Sequence, residues 1–371
     1  MSKKNSQAVK TQKTIICPYC FQSIKVMDLN IYDVSNDLKP PQFFNINCVP
    51  LNSKMELAEH YVCPECKCEI PFDYAQYPAL HISMVGIGGS GKTCFSVFMY
   101  QALRQWLNAD YHFARADSWK TNDTFQRNCN KLTNDKAEFV EIEKTENSDV
   151  LVNNKHVPLI FRITKANSNK GIILNLYDYR GEDFTSTGED AKPLDYFHSI
   201  TQNPIKPYLF ILYDPNQENL GDENITLPEY LTKLPNLRPE EDGSKYNVAV
   251  IVCKYDTWSG EFLKNAEISN RENLEPVAQN SDGRSVRQAG PDNLERITEV
   301  SGKLKNWRSK IKSELQNAVE SLDSNAVYIP VSATGCSKTP DGKFVKKDII
   351  PFWVEVPIWY VLSKELEGFV F

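Results

Sequence analysis

The chain has no apolar run approaching the roughly 18 residues of a membrane span, and Met1 to Lys13 lack the apolar segment of a signal peptide. A cytoplasmic protein without a membrane span is the expectation. Positive charge is not in excess either: 42 Lys and Arg against 48 Asp and Glu leave a net charge of −6. That balance argues against a free-standing nucleic-acid binder, and the small basic tail of Lys3, Lys4, Lys10 and Lys13 reads as a solvated one. Histidine is scarce, with five in 371 residues. His81, His112, His156 and His198 are scattered and read as core or surface residues, so no Ser-His-Asp site is indicated. No segment repeats internally. An apolar content of 41% is enough for one large or two modest cores.

Cysteine, by contrast, is plentiful, at ten residues. Without a secretory segment, metal binding or burial accounts for them better than disulfides do. Cys17-Pro18-Tyr19-Cys20 and Cys63-Pro64-Glu65-Cys66 are two C-P-x-C knuckles, each able to offer two thiolates to one tetrahedral Zn²⁺. The stretch between Cys20 and Cys63 is longer than such ribbons usually carry, so an insertion loops out between the knuckles. Cys48, His60 and Cys68 are alternative ligands. Four protein ligands leave no open position, so the metal is structural rather than catalytic. These features define a zinc-ribbon-like domain over residues 14–75, joined through Pro71 and Pro78 to a second domain over 79–371.

Gly86-Ile87-Gly88-Gly89-Ser90-Gly91-Lys92-Thr93 fits G-x-x-x-x-G-K-[ST] and follows the apolar run Ala79 to Val85. Small residues let backbone N–H groups close around a β-phosphate, Lys92 can reach the β and γ oxygens, and the Thr93 hydroxyl can ligate Mg²⁺. Gly86, Gly88, Gly89, Ser90, Gly91, Lys92, Thr93 and Cys94 are the candidate phosphate contacts. Lys92 to Leu107 reads as a helix with Val97, Tyr100, Leu103 and Leu107 on one face, completing the order of strand, loop and helix.

Residues 109–155 are polar and irregular, with a helix expected from about Asn122 to Leu132. Strands are expected over His156 to Thr164 and Gly171 to Tyr177, joined as an antiparallel hairpin. Continuous apolar runs at Tyr208 to Tyr213, Val248 to Cys253 and Val327 to Val331 read as central parallel strands covered on both faces. Glu275 to Asp292 reads as a mobile loop. Asn293 to Leu322 reads as one long amphipathic helix bent at Gly302, and a last helix covers about Pro357 to Leu366.

Three further motifs sit at strand ends. Asp178-Tyr179-Arg180-Gly181 matches D-x-x-G, in which the carboxylate holds Mg²⁺ and the Gly181 N–H bonds a γ-phosphate. Cys253-Lys254-Tyr255-Asp256 matches the last three positions of [NT]-K-x-D. There Asp256 accepts hydrogen bonds from guanine N1–H and the exocyclic amine, while the Lys254 stem covers the base. Ser332-Ala333-Thr334 is similar to the S-A-K loop whose backbone N–H bonds guanine O6.

In this order, the four motifs resemble a Ras-like P-loop GTPase of the translation-factor-related class, from Ala79 to the C-terminus. The knuckles, Asp178 to Glu182, Tyr213-Asp214-Pro215 and Val354 to Trp359 are most similar to the bacterial double-GTPase proteins of prokaryotic conflict systems. The resemblance implies an α/β fold: a P-loop NTPase three-layer sandwich with a six-stranded, mostly parallel sheet and one antiparallel edge pair, beside the small N-terminal zinc ribbon. It also implies GTP or GDP, Mg²⁺ and a switch cycle, with a protein partner that includes a companion GTPase among the candidates.

The chain departs from the pattern at three places. Cys253 replaces the Asn or Thr that tethers the base-reading loop to the phosphate loop, and Thr334 replaces Lys. Glu182 stands where Ras-like proteins carry the water-orienting Gln, which implies slow, partner-stimulated hydrolysis; its alternative is a surface Glu at a helix start. Thr145 is the expected switch threonine, ahead of Thr121, Thr124 and Thr133. Arg180 is either an arginine finger or an exposed loop residue. Catalysis would thus rest on Lys92, Glu182 and Thr145. The rival readings are a P-loop ATPase, a non-catalytic nucleotide-binding scaffold, and a ribbon that binds nucleic acid.

Overall fold

A computed structural model describes residues 13–32, 38–45, 49–58, 60–106, 111–115, 123–134, 136–144, 151–152, 155–168, 170–178, 207–216, 226–233, 246–268, 274, 278–279, 285–286, 294–307 and 311–366. A seven-stranded sheet organises the α/β part. Its strands in chain order are β1 (Ala79–Val85), β2 (Tyr111–Arg115), β3 (Leu159–Lys165), β4 (Gly171–Asp178), β5 (Tyr208–Tyr213), β6 (Asn247–Val252) and β7 (Val327–Pro330). In space the order is β2-β3-β4-β1-β5-β6-β7. The five strands from β4 to β7 run parallel, and β2 and β3 form an antiparallel edge.

The hydrophobic runs explain the central strands. Phe210, Ile211 and Leu212 of β5 and Val250, Ile251 and Val252 of β6 are all fully buried. Successive side chains of a strand point to opposite faces, so both faces of the sheet are covered. Burial of each such side chain is worth about 1.5–3 kcal/mol.

The sheet has seven strands rather than the six expected, because Tyr111–Arg115 pairs with β3 inside the stretch read as irregular. In this short strand Tyr111 is buried and His112 exposed. Phe113 stacks on Phe161 at 5.5 Å and lies 5.6 Å from the Tyr100 ring.

The helices are α1 (Lys92–Trp106), α2 (Asp123–Thr133), α3 (Leu227–Lys233), α4 (Tyr255–Asn265), α5 (Leu294–Lys305), α6 (Ser313–Leu322) and α7 (Val356–Glu365). The single long helix expected from Asn293 to Leu322 is instead two. The break follows Lys305, not Gly302, because Trp307 leaves the helix to pack on Trp258 and Phe262 at 5.4 and 5.3 Å. Within the stretch read as a mobile loop, Ala278–Gln279 pairs with Ser285–Val286.

The N-terminal part is built from two alike hairpins, Thr14–Ile16 with Ser23–Lys25 and His60–Val62 with Glu69–Pro71. Asn30–Tyr32 pairs with the second hairpin and, on its other side, with Leu38–Lys39. This unit lies on the sheet. On β4, Ile172 and Leu174 belong to the main core, whereas Ile173 packs with Tyr61, Ile70 and Tyr74 of the ribbon. The same face of β4 carries Asn175, which accepts a hydrogen bond from the Tyr74 hydroxyl, and Tyr177, whose hydroxyl donates to the Pro18 carbonyl. Arg162 of β3 pairs with the buried Asp73 at 2.7 Å. The ribbon therefore covers the β3–β4 face of the sheet.

Candidate functional site

The glycine-rich loop, the candidate phosphate loop, runs from the end of β1 into α1. Gly86 has no alternative there, since a Cβ would lie 2.7 Å from the Leu212 carbonyl oxygen of β5 and 2.8 Å from Ser90 Oγ. Gly89 and Gly91 have positive φ (77° and 94°), which bends the loop back over the helix start. Lys92 is buried, and its ammonium donates to the carbonyls of Gly86 (2.5 Å) and Ile87 (3.2 Å). Ser90 Oγ is buried with no hydrogen-bond partner among the described residues.

β4 is hydrogen-bonded beside β1, and Asp178 pairs in register with Met84. The carboxylate of Asp178, itself buried, thereby comes to the start of α1, where Thr93 Oγ1 donates to Oδ2 at 3.5 Å. Two hard oxygen donors meet at the loop, a set suited to Mg²⁺.

The other half of the site lies at the ends of β6 and β7. Ser332 Oγ donates to Asp256 Oδ1 and accepts from the Gly335 N–H at 2.9 Å. The Tyr255 N–H donates to the Val331 carbonyl (3.1 Å), so the two loops are joined by backbone as well. Ser332 also bridges to Phe352, which stacks on Tyr255 at 4.6 Å; the segment leading into α7 thus supports the Ser332–Ala333 loop from behind.

Lys254 adopts the left-handed conformation (φ 56°, ψ 41°). Its ammonium pairs with Asp214 Oδ2 at 2.7 Å, and the Asp214 side chain is only 3% exposed. Cys253 makes no tether to the phosphate loop: its thiol donates to the Ile251 carbonyl at 3.4 Å. Burial pushes that thiol up to about 12, with the Asp214 carboxylate acting in the same direction and Lys254 and Lys92 against it. Asp214, named in the sequence only as part of Tyr213-Asp214-Pro215, is the site residue whose role sequence reasoning missed.

Cys17, Cys20, Cys63 and Cys66 converge, with their sulfur atoms all within 4.8 Å of one another. The Cys17–Cys66 and Cys20–Cys63 sulfur distances are 3.8 and 3.7 Å. A disulfide would need about 2.05 Å, whereas the edge of a zinc tetrathiolate with 2.3 Å bonds is about 3.8 Å. The two knuckles are superposable in their hydrogen bonding. Cys17 N–H donates to Gln22 and Cys63 N–H to Cys68, while Phe21 and Lys67 N–H donate back to Cys17 and Cys63, all at 2.9–3.0 Å. Phe21 and Lys67, each four residues after the first cysteine, share a positive φ of about 60°. Hydrogen bonds from the other three cysteines drive Cys63 well below the usual thiol range, while burial drives Cys17 above it. Such a cluster accepts a cation that replaces the shared protons. Cys68 is not one of these four; its thiol donates to the Cys66 carbonyl and also hydrogen-bonds the Cys66 side chain.

Cys94 is half-buried in the first turn of α1. Thr124 accepts from Arg127 and Thr133 donates to the Cys129 and Asn130 carbonyls, so both serve α2. Thr121, Thr145, Arg180, Gly181, Glu182, His198 and Cys48 lie outside the described residues, as do the side chains of His60 and His156. His112 is exposed and His81 is in the core. Among the described residues no helix is long and apolar enough to cross a membrane.

The fold is α/β, with a mostly parallel seven-stranded sheet, a glycine-rich loop between β1 and α1, and a cysteine cluster that could hold a metal ion. No protein-family model matches the chain, and no curated protein does. Among solved structures it is similar to the translation elongation factor SelB of Methanococcus maripaludis, in complex with a GTP analogue, at 11% identity and TM-score 0.27, covering 80% of this chain and 36% of that one. The GTPase-like domain of Ski7 from S. cerevisiae, bound to GDP and inorganic phosphate, matches at 12% identity and TM-score 0.33, covering 80% of this chain and 52% of that one. The signal recognition particle receptor SRb-GTP/SRX complex of Chaetomium thermophilum matches at 14% identity and TM-score 0.25, covering 70% and 93%. The chain thus spans about a third to a half of the first two. All three likenesses are distant.

Proposed function

We propose that this protein is a GTP-binding and GTP-hydrolysing switch whose zinc ribbon docks a protein partner. The observation that carries the reading is the pairing of Asp256 with Ser332 at the ends of two strands, in the same mostly parallel sheet as a glycine-rich loop whose Thr93 stands beside Asp178. A carboxylate held by a serine accepts from two N–H groups of guanine, for which adenine has no counterpart. The orphaned Ser90 hydroxyl is a donor that a phosphate oxygen would satisfy.

Thr93 and Asp178 would hold Mg²⁺, which when bound neutralises charge on the β and γ oxygens. Lys92 and the loop N–H groups would stabilise charge developing during in-line attack of water. Glu182 would orient that water, and repulsion between its carboxylate and the γ-phosphate makes intrinsic hydrolysis slow. Thr145 and Gly181 would respond to the γ-phosphate. Cys17, Cys20, Cys63 and Cys66 would hold Zn²⁺ with no open position.

Docking by the ribbon is supported by its surface. Met27, Tyr32, Leu38, Phe43, Met55 and Leu57 are all large, apolar and exposed, and could serve as anchors for a partner. A companion GTPase of a prokaryotic conflict system is the partner we put forward, with the chain acting in the cytoplasm.

Competition of GTP and ATP for a fluorescent GDP analogue tests the assignment. Displacement by GTP alone supports it, equal displacement removes the guanine preference, and displacement by ATP alone favours a P-loop ATPase. Absence of phosphate release, alone or with partners, would leave a nucleotide-binding scaffold. An unchanged turnover in Glu182→Ala removes that residue from the mechanism.

A further inference from the structure

The base-reading loop of this chain lacks the tether that its sequence pattern leads one to expect, because Cys253 bonds back to its own strand. Yet the loop is held in a demanding shape. Lys254 is left-handed, a conformation few residues other than glycine, asparagine and aspartate adopt without external support. Resting on the GTP reading above, we propose that the turn Tyr213–Asn216 after β5 replaces the missing tether, with Asp214 as the positioning residue that sets Lys254 over the base.

Three contacts reach the loop from this turn, braced by one bond within the turn and one within the loop. Asp214 uses both carboxylate oxygens: Oδ2 takes the Lys254 ammonium at 2.7 Å, and Oδ1 accepts the Asn216 N–H at 3.0 Å. Asn216 then reaches across with its side-chain amide to Thr257 Oγ1 at 2.9 Å. That hydroxyl in turn donates to the Lys254 carbonyl at 2.8 Å. The Tyr213 carbonyl accepts the Cys253 N–H at 2.7 Å. Lys254 is therefore fixed at its ammonium by Asp214 and at its carbonyl by Thr257, the two ends of the stem that would lie along the base.

The burial of Asp214 explains why the link is an ion pair. A carboxylate 3% exposed is unfavourable without a cation, so it draws in an ammonium whose own side chain is 47% exposed. The stem is thereby held in one direction instead of sampling solvent, and less ordering remains to be done when a nucleotide arrives. Asp214 acts on the nucleotide through Lys254, and no contact of its own with the base is needed.

The test is the release rate of a fluorescent GDP analogue from the full chain, together with its preference for GDP over ADP. In the wild type, selective retention of GDP is expected; equal retention of both would overturn the GTP reading and this proposal with it. Given selectivity, Asp214→Asn should release GDP about tenfold faster, since loss of one partner of a buried charge pair acts mainly on dissociation. Lys254→Met keeps the stem and removes the charge, and in that background Asp214→Asn should add nothing. A wild-type release rate in Asp214→Asn, or effects of the two changes that simply multiply, would overturn the tether while leaving GTP binding intact. Should Asp214→Asn fail to fold, Asn216→Ala removes the outer strut without leaving a buried charge. A roughly threefold faster release then supports the proposal, and an unchanged rate overturns it.

Discussion

The Tyr177 hydroxyl donates a 2.7 Å hydrogen bond to the carbonyl of Pro18, inside the first cysteine knuckle. Tyr177 immediately precedes Asp178, so the first cysteine turn and the end of β4 beside the glycine-rich loop are one hydrogen bond apart. Phe21 of the same knuckle packs on Tyr177 and His81 with ring centroids 5.6 Å away in each case. The strands ending in Asp178 and in the phosphate loop both carry the ribbon on this face.

Tyr177→Phe should keep the packing and lose the bond, stranding a buried carbonyl. A cost of about 1–3 kcal/mol is expected, measurable by urea unfolding of the zinc-loaded chain. Because Asp178 follows directly, release of a bound fluorescent nucleotide should also quicken. An unchanged release rate would mean that the knuckle contributes stability alone.

Purified protein should contain one zinc per chain by elemental analysis, and Cys63→Ser should lower that content and the melting temperature together. Thiolates are the ligands, so protons compete with the metal and zinc should be lost progressively as pH falls. Retention of full zinc content by Cys63→Ser would count against the four-cysteine site.

Much of this architecture could be read in the chain itself. The apolar runs at Tyr208–Tyr213 and Val248–Cys253 coincide with β5 and β6 to within a residue, because central strands are apolar on both faces and need no partner to be recognised. What tertiary packing decides was not readable. Tyr111–Arg115 is a strand because Phe113 finds Phe161. The break after Lys305 leaves the three-to-four spacing of apolar residues intact on both sides, and only the Trp307 contact with Trp258 shows why it occurs. Asn175 and Tyr177 are polar positions in an otherwise apolar strand, and they became intelligible once the ribbon was seen to bond them. The partnership of Asp214 with Lys254 has no spacing signature, since it joins the ends of two strands.

Lys92→Met should lower GTP affinity by roughly 10- to 100-fold, the value of losing charged hydrogen bonds worth about 1.5–3 kcal/mol. The ammonium already has two carbonyl partners within the loop. Those must be exchanged for phosphate oxygens on binding, which keeps the loss moderate. Equilibrium titration with a non-hydrolysable GTP analogue gives the comparison, and an affinity equal to wild type would remove Lys92 from phosphate binding.

His81 makes stability depend on pH with a definite sign. Its Nδ1 lies 3.1 Å from the Tyr177 oxygen, whose own proton is committed to Pro18; Nδ1 therefore carries the imidazole proton and donates it to Tyr177. Nε2 is buried with no partner among the described residues, so a second proton there would be a buried, unpaired charge. Burial accordingly lowers the pKa from 6.5 to about 3. Between those values the unfolded chain binds a proton that the folded chain refuses. This contribution is thus complete above about pH 6.5 and is lost as pH falls toward 3. About 2 kcal/mol should disappear between pH 7.5 and pH 5. His81→Asn cannot take up that proton, and any acid loss of zinc is common to both proteins. The difference in urea unfolding free energy between wild type and variant should therefore shift by that amount across the interval, and a difference independent of pH would mean that His81 is protonated in the folded chain.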